Sequence, residues 1–187
     1  MQGSLNIGID MSSTYSSILI LCLGSVLAGC AIEPRRNYTP QPKDAILHLR
    51  STGMPMSASF SISSASTACE GFEFAGSVRD GGEGVLLPWI AALSNKLSGV
   101  PTVREAAVPA DAPVQVKGFS FWQDQYSSGS CGPVAKRFTP TADGVYRVDF
   151  VWAGMRKCGL RIVDISRPDE PREVPGEPLI CPRPPGL

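Results

Sequence analysis

The chain has 187 residues, with 17 Lys and Arg set against 17 Asp and Glu. A balanced charge with no basic excess argues against a nucleic-acid partner, and the length suits one domain with tails. With 19 Gly, 17 Pro and only 18% charged residues, short strands joined by many turns are expected rather than a helical bundle.

Residues 1–17 carry no Lys or Arg and one acid, Asp10, which a start at Met11 would remove. An apolar run from Ile18 to Leu27 follows. It has the length of a signal-peptide core and falls well short of the roughly 20 residues that span a bilayer. Gly24, Ser25 and Gly29 argue against a buried helix. The run closes on Leu27-Ala28-Gly29-Cys30, which resembles the lipobox of bacterial lipoproteins. That resemblance implies removal of residues 1–29 as a signal peptide. It also implies acylation of Cys30 and a membrane partner engaged through that lipidated cysteine. Several acyl chains on one residue hold a protein stably, where one chain does so only marginally. Ala31, standing where an Asp would retain a lipoprotein at the inner membrane, implies the outer membrane, facing the periplasm.

Cys22 lies in the leader, which leaves Cys69, Cys131, Cys158 and Cys181 beyond Cys30. Four cysteines in an exported chain predict two disulfides, with three connectivities open. No C-x-x-C occurs, so neither a zinc site nor thioredoxin-like chemistry is expected. Each disulfide is expected to contribute about 2–4 kcal/mol.

Residues 30–43 hold Pro34, Pro40 and Pro42 and read as an extended tether, with Arg35 and Arg36 solvated. A domain over 44–165 follows. Ala45, Leu47 and Leu49 alternate with Ile46, His48 and Arg50 as a first strand. Met56, Ala58, Phe60 and Ile62 alternate with Ser57, Ser59, Ser61 and Ser63 as a second. The serine face is expected to be wet or paired across strands. Phe72, Phe74 and Val78 continue the pattern to a turn at Asp80-Gly81-Gly82-Glu83-Gly84.

From Val85 to Leu97 a period near 3.6 competes, placing Leu86, Ile90, Leu93 and Leu97 on one face. A short helix or loop covering one end of the core is expected, with Pro88 in its first turn and Gly99 as its stop. Thr102 to Ala107 reads as a strand, and Pro109 to Pro113 as a turn. Val114 to Trp122 is the next strand. Its apolar phase passes from Val114 and Val116 to Phe119 and Phe121 across Gly118, which predicts a bulge. Gln123 to Pro133 reads as a polar loop.

Tyr146, Val148, Phe150 and Trp152 alternate with Val145, Arg147, Asp149 and Val151, and Gly154 turns the chain into Cys158, Leu160 and Ile162 as a hairpin. The approach to it, Phe138-Thr139-Pro140-Thr141-Ala142-Asp143-Gly144-Val145-Tyr146, resembles the tyrosine corner of immunoglobulin-like sandwiches. Val148 stands where those domains usually carry a cysteine. The resemblance implies an all-β antiparallel sandwich in which the strands near 134–139, 145–152 and 158–165 run in succession. In that order it favours pairing of Cys131 with Cys158, leaving Cys69 with Cys181. Residues 166–187 carry seven prolines, so the tail is not expected to form one regular element, and Cys181 is expected to draw it back onto the domain.

Chemistry is scarce. His48 is the one histidine, so any Ser-His or Cys-His catalysis must use it. Ser130-Cys131-Gly132 looks nucleophilic, but a disulfide explains its cysteine better. Glu70 and Glu73 are spaced to face opposite sides of a strand. No calcium-loop spacing appears, and the glycines at 81–84 lack a phosphate-loop fingerprint. No catalytic residue, metal or cofactor is therefore expected. Trp89, Trp122, Tyr126 and Trp152 are the large amphipathic side chains; Trp122 and Trp152 are expected in or beside the core. Trp122, Asp124 and Tyr126 make the candidate contact surface. The expected role is a non-catalytic binding or structural module meeting an envelope protein or ligand. The alternatives are an inhibitor of an exogenous enzyme such as lysozyme, with the loop 123–132 as its plug, or an accessory subunit of a secretion or envelope complex.

Overall fold

Every second side chain from Ala45 to Ser51 is buried, because the extended backbone of β1 (Ala45–Thr52) sends alternate residues to opposite faces. The same rule builds the rest of a computed structural model that describes residues 33–53, 57–80, 99–123, 128–153 and 157–182, with Trp89, Leu93, Lys96 and Leu97. The strands after β1 are β2 (Ser57–Ser63), β3 (Glu73–Arg79), β4 (Val103–Val108), β5 (Val114–Gln123), β6 (Ser128–Phe138), β7 (Val145–Trp152), β8 (Cys158–Asp164), β9 (Arg172–Glu173) and β10 (Glu177–Leu179). They form two five-stranded sheets, in the orders β4-β1-β7-β8-β9 and β10-β6-β5-β2-β3. Leu47, Leu49, Val148, Phe150 and Ile162 from one sheet meet Phe60, Ile62, Val114 and Val116 from the other in a shared core. The all-β sandwich is the expected one. One pairing departs from the antiparallel expectation: β1 runs parallel to β7. Nearly a hundred residues separate those two strands, so no tight turn dictates their relative direction.

The tyrosine corner is present. The Tyr146 hydroxyl accepts a hydrogen bond from the Thr141 amide at 2.9 Å and lies 3.0 Å from the Thr141 hydroxyl. Its ring meets Phe138 edge-on, with centroids 5.2 Å apart, joining the end of β6 to the start of β7. Both disulfides are those implied by the corner. Cys131–Cys158 links β6 to β8 across the two sheets, and Cys69–Cys181 ties the C-terminal segment to the loop before β3.

Four expectations are corrected. Gly118 and Ser120, rather than Phe119 and Phe121, face inward, and Phe121 is exposed. The pairing does shift there, but β6 carries the extra residue, at Gly132-Pro133, so β5 keeps a single phase. The reason is steric: a Cβ on Gly118 would lie 2.7 Å from Phe150 Cδ2, so Phe150 fills the space a side chain would need. The polar loop expected over 123–133 shrinks, because β6 begins at Ser128 and its ladder with β5 runs to Gln123–Ser128. Cys131 is consequently a buried strand residue.

The third correction concerns the segment before Gly99. Trp89, Leu93, Lys96 and Leu97 are helical as expected, yet Leu93 and Leu97 are exposed rather than packed on the core, and Trp89 is exposed with them. Leu86, Ile90 and the glycine turn at 81–84 lie outside the described residues. The fourth concerns the N-terminal segment, whereas the C-terminal tail lies back on the domain as expected. The Pro-rich tail supplies an edge strand to each sheet, β9 on β8 and β10 on β6. Pro178 is tolerated there because an edge strand leaves one row of backbone groups without a ladder partner. The segment from Glu33 is extended, as its prolines dictate, but it lies along β3. Phe74 donates to the Pro34 carbonyl, and Arg36 donates to the Phe74 carbonyl.

Candidate functional site

Of the residues singled out in the sequence, Leu27–Cys30, Asp124 and Tyr126 lie outside the described residues. The Trp122 backbone pairs with Gly129 in the β5–β6 hairpin. Trp152 is half-buried against the core, as expected of it. His48 points outward from β1, with Nε2 3.5 Å from the Glu105 carboxylate on the neighbouring β4. Cys131 of the Ser130-Cys131-Gly132 segment is consumed by its disulfide. Glu70 contributes its carbonyl, which accepts the Ser63 hydroxyl at 2.6 Å. Among the described residues, no group of three His, Cys, Asp or Glu is placed to hold a metal ion.

The serine face of β2 is occupied along its length. Ser59 pairs with Ser77 of β3 at 3.0 Å, and Ser61 donates to the Glu33 carboxylate. Lys117 of β5 reaches that same carboxylate and rests over the Phe72 ring at 4.2 Å. Next to this cluster Gln115 is fully buried. Its amide nitrogen donates to the carbonyls of Ala65 and Thr67, and its oxygen accepts from the Cys69 amide at 2.8 Å. One side chain thus shapes the loop that carries Cys69 to Cys181. Its place between the buried Val114 and Val116 was the available signal, since a polar residue buried beyond water must bring its own partners.

Two clusters of charge stand on the outer surfaces. On β7, the Asp149 carboxylate is 1% exposed and accepts from Arg147 Nε and Arg161 Nη2, each at 3.1 Å. Two cations over one buried acid make a structural clasp across β7 and β8. The second cluster lies where the edge strands β3 and β4 approach. A groove of about 380 Å³ runs there, lined by Arg35, Arg36, Phe74, Gly76, Gly99 and Arg104 among others.

Two of the groove's three arginines, Arg36 and Arg104, are positioned by a neighbouring side chain or backbone. The Arg36 guanidinium stacks over the Tyr38 ring at 4.4 Å, and the Tyr38 hydroxyl donates to Asp44 at 2.9 Å. Burial pulls the Arg36 guanidinium below its ordinary range, opposed by the negative charge of Glu73. Burial, then the bond to Asp44, pushes the Tyr38 hydroxyl up. Arg104 stands opposite the inward-facing Leu49 in the β1–β4 ladder, so it crosses the seam to the other sheet. It lies flat on Gly76, where a Cβ would come within 2.4 Å of its Cδ and Nε. Gly76, at φ 129°, also has a backbone that other residues rarely adopt. Sequence reading placed Arg35 and Arg36 in a solvated linker and did not connect them with Arg104, because nothing local announces that β3 and β4 become neighbouring edges.

No protein-family model matches this chain, and no curated protein matches it.

Proposed function

We propose that the protein is an exported lipoprotein, anchored by Cys30 in the cell envelope, whose β-sandwich serves as a non-catalytic binding or structural module. The two disulfides are the observation that carries this reading. All four cysteines left after Cys30 are consumed in pairs, as suits a chain that matures in an oxidising compartment. The docked segment from Glu33 sharpens the picture. Glu33 is the third residue after Cys30, and three residues span at most about 10 Å. A lipidated Cys30 therefore holds the Glu33 end of the sandwich close to the bilayer surface instead of on a long free stalk.

Among the described residues, the two groups that the sequence offered for nucleophilic catalysis are engaged elsewhere, which supports the module reading. His48 faces Glu105, and Cys131 is oxidised to Cys158. Outer-membrane placement follows from Ala31 and remains part of the proposal.

The test is Cys30→Ser, together with metabolic labelling by a palmitate analogue. Label incorporated at wild-type Cys30 and lost in the variant supports the anchor, and an unlabelled wild-type protein refutes it. Crosslinking in the native envelope then identifies the partner of the module.

A further inference from the structure

The groove between β3 and β4 presents three guanidinium groups and no carboxylate among its lining residues. Glu73 and Glu105 stand nearby, Glu73 toward Arg36 and Glu105 against His48. Cations concentrated on one concave surface favour an anion, and planar guanidinium forks match phosphate oxygens two at a time. We propose that this groove binds a phosphate group, carried by an anionic phospholipid headgroup or free in solution.

Three features of the groove support it. The side chains are held before any ligand arrives, Arg36 by the Tyr38 ring and Arg104 by the flat floor at Gly76. Prepositioned donors lose less side-chain entropy on binding. Second, the buried Nη2 of Arg36 has no hydrogen-bond partner among the described residues. Glu73 and Asp44 offset this guanidinium electrostatically without a hydrogen bond to Nη2, and an anion in the groove would add to them. Third, Gly99 leaves the mouth open, since a Cβ there would meet nothing within 4 Å.

A lipid source is favoured by the residues that neighbour the groove's arginine and glycine in sequence, and this part rests on the anchoring reading above. Arg35 is the fifth residue after Cys30. Trp89, Leu93 and Leu97 recur every four residues in helical conformation just before Gly99, and are 64%, 50% and 79% exposed. Exposed apolar residues of this kind, with Lys96 among them, suit the boundary between headgroups and acyl chains.

The test uses the full chain in a neutral detergent and isothermal titration calorimetry. The probes are a short-chain phosphatidylglycerol below its micelle-forming concentration and, separately, inorganic phosphate. Saturable one-site binding is expected, weakened tenfold or more in Arg36→Gln and in Arg104→Gln. Arg36→Lys should lose less, because it retains the charge without the fork. Arg172→Gln, on the distant edge strand β9, should bind as wild type. Phosphatidylglycerol binding tighter than phosphate assigns the site to lipid; equal affinities assign it to a soluble phosphate compound. Absence of saturable binding with either probe, or equal weakening by Arg172→Gln, overturns the site. Melting temperatures within a few degrees of wild type show that each variant is folded. Labelling at Cys30 is read independently, so loss of the groove and loss of the anchor are separate results.

Discussion

Glu33 and Lys117 form an ion pair across 84 residues of sequence, and Ser61 donates to the same carboxylate. Through this contact Glu33 is fixed to the middle of a sheet.

Lys117 is 15% exposed and Glu33 32%, so solvent screens the pair only in part. A double-mutant cycle with Glu33→Gln and Lys117→Met, read by urea denaturation, should give a coupling of about 1 kcal/mol, at the upper end for exposed pairs. Independent, additive effects would mean that the segment is not held by this contact.

Gly118 has no room to grow. A Cβ would sit 2.7 Å from Phe150 Cδ2 and 3.1 Å from Leu160 Cδ2. Gly118→Ala should destabilise the domain by roughly 1–3 kcal/mol through overpacking. Adding Phe150→Leu should recover part of that loss, because the smaller side chain vacates the contact. A Gly118→Ala protein with unchanged thermal stability would show that β5 faces the other way.

Tyr146→Phe keeps the ring against Phe138 and removes the acceptor of the Thr141 amide. The expected cost is about 1–2 kcal/mol, from a part-buried donor left without its partner. Hydrogen exchange should accelerate at the Thr141 amide specifically, which a general loss of packing would not produce.

The two disulfides close loops of different length, 27 and 112 residues apart in sequence. Chain-entropy reasoning makes loss of Cys69–Cys181 the costlier by about 1 kcal/mol, with either loss costing several times RT. Paired serine variants compared in urea give the order directly. The reverse order would show that Cys131–Cys158, set between the sheets, acts through packing of the folded state.

The strands were legible wherever one face is apolar. Ala58, Phe60 and Ile62 announced β2, and Tyr146, Val148 and Phe150 announced β7, because alternation is a property of the backbone that needs no knowledge of partners. The tyrosine corner was legible for a related reason, since its acceptor and donor lie five residues apart. The groove was not. Its arginines come from the N-terminal segment and β4, and its glycine floor comes from β3. A three-part site of that kind exists only after the sheets have closed.

By itself, then, the sequence determined the class of fold, the strands with one apolar face, the parity of the cysteines and the expectation of an acylated Cys30. These follow from local periodicity, residue chemistry and counting. Tertiary structure decided the inward phase of β5, the use of the proline-rich tail as two edge strands and the seating of Pro34–Arg36 beside Phe74 of β3. Each of those depends on what faces a residue across the fold. Phe150 decides for Gly118, the open edges of β6 and β8 decide for the tail, and Lys117 decides for Glu33.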